Sequence, residues 1–354
     1  MAYTDIDDPT AYFQTKIYSG NGSSQNITGL DFQPDFCWLK NRASGNRHAL
    51  FDSVRGVTKR LRSDGTDTEV ADPDTLTSFN SDGFTVGADA EAYGANNDGD
   101  AFVSWNWKAG TSFTNDASST SIGSLDSSGS VNDTAGFAIV TYVGNGSSGA
   151  TIKHGLTSAP TFMIIRVYDA TAGFQVYSKA VGATKFAGYL NTTEAAGTTA
   201  GVVNNTDPGT SVFTVGNGGN TNNDGGNHIA YCFAEKQGFS KQGVYTGNGN
   251  NGNGPFIYTG FKPAWVLVTR LTAGENWLIL DNKRDTFNPQ DSSVYPNLNN
   301  AEDADGADYF DFVSNGMKVK TNNGGTNTSG ASYVYLAFAE SPFVTSTGIP
   351  TTAR

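Results

Sequence analysis

The chain has 354 residues, enough to bury more than one core, with 37% hydrophobic and only 16% charged residues. A formal charge of −12 with no basic stripe excludes nucleic acid as a partner, because phosphate binding depends on clustered Lys and Arg. No apolar run approaches the roughly 18 residues of a membrane span, so no membrane insertion is expected, and residues 1–8 lack the basic and apolar regions of a signal peptide.

From the N-terminus, the first strong signal is Tyr18-Ser19-Gly20-Asn21-Gly22, where Asn-Gly supplies the positive φ values of a tight turn. Pro34 then precedes the apolar run Phe36-Cys37-Trp38-Leu39, which reads as one buried strand. Residues 50–61 alone carry helical spacing, for a turn or two, since Gly56 and β-branched residues oppose anything longer. Residues 79–86 read as a hairpin around Asp82-Gly83, and residues 101–108 alternate aromatic and small side chains, as a strand on a core does. Residues 111–135 are dominated by Ser, Thr, Gly, Asn and Asp, a linker composition.

The same signals then return twice in the same order. The turn recurs as Tyr142-Val143-Gly144-Asn145-Gly146 and Tyr245-Thr246-Gly247-Asn248-Gly249. The proline and its apolar run recur at 160–166 and 263–270, and the closing strand at 228–235 and 333–340. Residues 312–319 repeat the hairpin, of which the second copy keeps only Val212-Phe213-Thr214-Val215. Gly144 and Gly247 lie 103 residues apart, and Gly20 and Gly144 lie 99 apart once the 25 linker residues are left out.

This pattern predicts an all-β protein of three tandem antiparallel β-sandwich units, jelly-roll-like and related by internal repeat. The expected boundaries are 1–110, a linker at 111–135, then 136–238 and 239–344, with a tail at 345–354. Units two and three, joined almost directly through Gly238, form the more rigid pair in this reading, with unit one placed independently.

No residue constellation selects a reaction, so the chain reads as a non-enzyme. No metalloprotease motif, nucleophile elbow or phosphate loop is present, and no spacing singles out a pair of glycosidase carboxylates. Cys37 and Cys232 sit in apolar runs without a second cysteine nearby and read as free and buried. His48, His154 and His228 share no motif and read as surface or strand-edge residues. No cofactor is expected apart from Ca²⁺, for which Asp303, Asp305 and Asp308 form the candidate loop, with residues 96–100 and 222–225 as comparable turns. Among the aromatics, Trp38, Trp105, Trp107 and Trp265 fall in predicted strands and read as core. Trp277, Tyr93 and Tyr295, near loops, are the candidate glycan or receptor contacts.

Residues 5–15 and 18–25 resemble the start of virion proteins encoded by tailed bacteriophages, especially marine ones. Residues 34–42, 50–56, 81–84 and 103–110 are similar to a repeat module of their tail-fibre-like and structural proteins. The resemblance is close over unit one and reduced to the shared anchors over units two and three. It implies a virion component made in the host cytoplasm, with other virion proteins as partners and a homotrimer as the first expectation. It implies no role for any single residue. A tail-fibre or spike-type appendage touching the host surface, through glycan in one version, is the leading expectation. A capsid decoration or tail adaptor protein is the alternative, and a glycan depolymerase the third.

Overall fold

The computed structural model describes residues 3–89, 94–197, 201–272, 274–304 and 306–352. Strands dominate, and every helix among the described residues is a single short turn. Each apolar run near a proline becomes a central strand, here the proline strand: Phe36–Asn41, Phe162–Val167 and Phe261–Arg270. The first two are buried along their whole length, which is why the sequence shows a continuous apolar run instead of an alternation. In the third copy Pro263 lies inside the strand, at a shift of register where a missing N–H is tolerated.

One ladder order then recurs three times: opening strand, closing strand, proline strand, short fourth strand, all antiparallel. The opening strands are Phe13–Ser19, Phe137–Val143 and Ser240–Thr246, each running into its Tyr-x-Gly-Asn-Gly turn. The closing strands are Ala101–Trp107, Asn227–Phe233 and Ser332–Pro342. The fourth strands are Ala49–Asp52, Gln175–Ser178 and Leu278–Asp281. A smaller sheet accompanies each ladder, centred on Gln25–Thr28 with Gly83–Val86, Ala150–Lys153 with Val212–Val215, and Phe256–Tyr258 with Gly316–Val319. Cys37 and Cys232 are free and fully buried in the cores between ladder and small sheet.

The opposite faces of the three ladders share one core. Trp107, Phe233 and Phe338 hold equivalent register positions, opposite Phe36, Phe162 and Trp265 on their proline strands. Their rings pack mutually, with centroids 5.7 to 6.3 Å apart, so the ladders meet in a pseudo-threefold arrangement. Unit one is therefore not placed independently. Trp38, Trp105 and Trp107 drive it into the common core, since large aromatic surfaces are the most costly to leave in water.

The linker reading of residues 111–135 is also corrected. Thr111–Asn115 and Ser127–Asn132 are strands that extend the second ladder beside Phe137–Val143. Phe113, Leu125 and Val131 pack on its core. The small residues reflect close packing rather than flexibility: a Cβ on Gly129 would lie 2.0 Å from the Ile139 carbonyl oxygen. The helical turn expected within 50–61 gives way to the strand Ala49–Asp52, whose four residues are all buried beside Phe36–Asn41.

Candidate functional site

The recurring turns are held by a recurring lock. Asn96, fully buried ahead of the closing strand, donates from Nδ2 to Ser23 O at 2.5 Å, Gly87 O at 2.6 Å and Asn21 Oδ1 at 3.2 Å. Its Oδ1 accepts the Asn21 amide at 3.0 Å. Asn222 makes the same set with Asn145, Ser147 and Gly216, and Asn327 with Asn248, Asn250 and Thr321. The tyrosine of each motif completes the lock, since Tyr18, Tyr142 and Tyr245 donate to the carbonyls of Ala95, Thr221 and Thr326 at 2.6 to 2.8 Å. The first glycine permits close approach: a Cβ on Gly20, Gly144 or Gly247 would stand 2.1 to 2.4 Å from a backbone oxygen. Residues 96–100 and 222–225, read above as carboxylate turns, thus contribute asparagines that fasten loops.

Buried charge holds two of the three seams between ladders. Asp52 ends the first fourth strand and pairs with Arg55 at 2.6 Å, and its Oδ2 accepts the Tyr231 hydroxyl of the second closing strand at 2.9 Å. Asp281 ends the third and pairs with Arg284 at 2.5 Å, and its Oδ2 accepts the Trp105 indole N–H at 2.9 Å. In the second ladder the equivalent residue is Ser178, bonded to Gln242 at 2.6 Å.

The sequence-selected residues are scattered, and several are committed to these seams. Trp277 is no surface contact: it is 1% exposed in the shared core and its indole N–H donates to Tyr189 O at 2.9 Å. Tyr295 is half-buried in a small cleft of about 150 Å³ beside Tyr309 and Asn323, and its carbonyl meets His48 Nε2 at 3.0 Å. Tyr93 and Asp305 lie outside the described residues. Asp303 is exposed and paired through its backbone with Ser293, while the amides of Gly306 and Asp308 point at the Asp291 carboxylate. The neighbouring Glu302 is bound by Arg42 at 2.7 and 2.8 Å and by Arg284 at 3.0 Å, so the start of this acidic stretch belongs to the seam between first and third ladders. Those two guanidiniums hold its carboxyl below the usual range against the opposing effect of burial.

A family model described as a domain of unknown function, DUF7483, matches residues 8–342. The chain belongs to the DUF7483 family. Because the match runs through all three ladders, the DUF7483 domain is the whole body with its common core, and not one repeat. Comparison with curated proteins returns no match.

The histidines of this DUF7483 protein are buried, not at the surface, and both ring nitrogens of each are hydrogen-bonded. His48 Nδ1 accepts the Trp38 indole N–H at 2.9 Å, which leaves Nε2 to donate to Tyr295 O. His154 and His228 each accept a backbone amide on one ring nitrogen and face a carbonyl with the other. Burial pushes the latter two down to about 4, and His48 lower than its ordinary value with Lys40 adding to the effect, so all three are neutral at pH 7. No motif marks these roles, since most of the partners are backbone groups, and those of His48 and His154 include carbonyls remote along the chain, at Tyr295 and Gly209.

A cleft of about 460 Å³ opens in the DUF7483 body between the added strands of the second ladder and Tyr168. Hydroxyl, amide and carboxylate groups of Asn115, Asp126, Ser128 and Thr141 line it. Asp116 and Asp126 are already bound to the amides of the helical turn at 117–120. Among the described residues, no three His, Cys, Asp or Glu side chains converge as a metal set.

Proposed function

We propose that this chain is a non-enzymatic structural protein of a tailed-phage particle, acting as a rigid tail-fibre or spike-type appendage that meets the host surface through its loops. We read each ladder with its small sheet as one jelly-roll-like sandwich unit, three in tandem. The observation that carries the proposal is the common aromatic core, which makes three repeats one stiff body with every Gly-Asn-Gly loop locked by asparagine. Rigid scaffolds presenting polar loops are well suited to surface recognition. The likeness of residues 5–25 and 103–110 to phage virion proteins supplies the setting, with other virion proteins as partners and host glycan as the ligand class. A homotrimer remains the first assembly to test.

The second reading, a capsid decoration or tail adaptor protein, is favoured by the pseudo-threefold meeting of Trp107, Phe233 and Phe338. One chain that imitates a trimer fits a threefold position on a particle. Antibodies against the purified protein, gold-labelled on intact particles and viewed by negative-stain electron microscopy, separate these readings. Label at the tail tip or fibre supports the appendage, label over the head supports decoration, and unlabelled particles overturn both.

A further inference from the structure

The internal repeat provides its own control for what the fold requires at each position. In the small sheets, Ile27, Ile152 and Ile257 are equivalent buried residues, paired with Phe84, Phe213 and Met317. The residues flanking them point to the opposite face. In the first copy these are Asn26 and Thr28, in the second Thr151 and Lys153, and in the third Phe256 and Tyr258. Polar side chains suffice at these sites for two copies, while the third displays two aromatic rings, each 48% exposed.

The rings are held in place. Phe256 lies across Gly316, where a Cβ would come within 2.9 Å of the ring. The Tyr258 hydroxyl bonds that of Tyr3 at 3.1 Å, and Tyr3 in turn donates to Gly260 O at 2.6 Å. Two residues apart on one strand, the two side chains leave the backbone roughly 6.7 Å from each other, so both can stack on one extended chain. Two cations flank them in a molecule of charge −12. Lys241 Nζ sits 5.4 Å from the centre of the Tyr258 ring, and Lys318 Nζ bonds Asn253 at 3.0 Å. Of the nearby carboxylates, Asp311 is engaged by Lys320 at 3.2 Å, and Glu235, which lines the same hollow as Lys241 and Tyr258, accepts the Gln242 amide at 2.9 Å.

We infer that Phe256 and Tyr258, with Lys241 and Lys318, form a platform on the third copy that binds an acidic polysaccharide. The sugar rings stack on the aromatic faces and their carboxylates meet the two ammonium groups. This inference deepens the host-contact reading and takes glycan as its ligand class from it. The platform is too small by itself for a stable protein interface, which covers about 800 Å² per partner.

Affinity electrophoresis of the full chain in gels containing polygalacturonate, alginate or dextran tests it. The expected result is retardation by the two acidic polymers, weakened by salt, and little by dextran. Phe256→Asn with Tyr258→Thr installs the first copy's residues, which the fold already tolerates, and is expected to weaken binding about tenfold or more. Lys241→Gln with Lys318→Gln is expected to lower affinity and flatten the salt dependence. No retardation, equal retardation by dextran, or binding unchanged in the aromatic variant overturns the platform. So does loss of incorporation into particles by that variant with polysaccharide binding intact, which would mark a protein-docking face. Particle labelling reports on the virion assignment separately, so either idea can fail without the other.

Discussion

The seam joining the first and second ladders and the seam joining the second and third occupy equivalent places, yet they are built differently. Where the neighbouring closing strand offers an O–H or N–H, from Tyr231 or Trp105, the fourth strand ends in a buried aspartate with its own arginine. At the remaining seam the equivalent residue of the closing strand, opposite Leu267, is Leu336, and the aspartate is replaced by Ser178. At these seams the buried carboxylate stands where a donor and a guanidinium both reach it, because an unpartnered charge in the core is far costlier than a hydroxyl.

This contrast ranks the perturbations. Asp281→Ala leaves the buried Arg284 side chain with Glu302 as its one carboxylate partner and takes the acceptor from the Trp105 indole, and is expected to destabilise the protein by about 3 kcal/mol, read as a fall in melting temperature. Asp281→Leu combined with Arg284→Met, which makes that seam resemble the uncharged one, is expected to recover most of the loss. If the double variant melts no higher than Asp281→Ala, the pair is needed for more than mutual compensation.

Acid acts at two buried sites at once, with an effect per site close to that of the aspartate. His154 and His228 sit near 4 in the fold and near 6.5 when unfolded, so the unfolded chain takes up protons in that window and the native one does not. Stability is complete above pH 6.5 and falls as the pH drops toward 4, by about 3 kcal/mol for each of the two. Denaturant melts at pH 7 and pH 4.5 check this, and His154→Gln should reduce the slope between them.

The locks come third. Asn222→Ala removes a buried amide from three acceptors and one donor and is expected to cost about 2 kcal/mol, with Asn96→Ala and Asn327→Ala matching it. Asn222→Asp should not rescue, because the carboxylate cannot donate. Ser178→Ala is expected to cost only about 1 kcal/mol, and a larger value would show that the uncharged seam relies on its hydroxyl as much as the others rely on charge.

Much of the architecture could be read along the chain, because strand signals are local. The alternation in residues 101–108 and the apolar run after Pro34 depend only on which faces are buried. What escaped were features set by contacts remote in sequence. Residues 111–135 look like a linker in isolation, and only Ile139 pressing on Gly129 shows why small residues stand there. Trp277 sits among loop-like residues, yet the second ladder's Tyr189 claims its indole. The histidines bond to backbone groups of residues such as Tyr295 and Gly209, and no side-chain motif records that pairing. The asparagine locks were nearer to legible, since Asn96 and Asn222 each precede Asn-Asp-Gly ahead of a closing strand, but the third copy has Thr-Ser-Gly instead.

Carrying three copies on one chain has a consequence at the axis residues Trp107, Phe233 and Phe338. In a homotrimer one codon would dictate all three side chains, and each mutation would change the volume there threefold at a stroke. Here the volume can be adjusted one ring at a time, and the mixture of one indole with two phenyl groups is a filling that no symmetric trimer could encode.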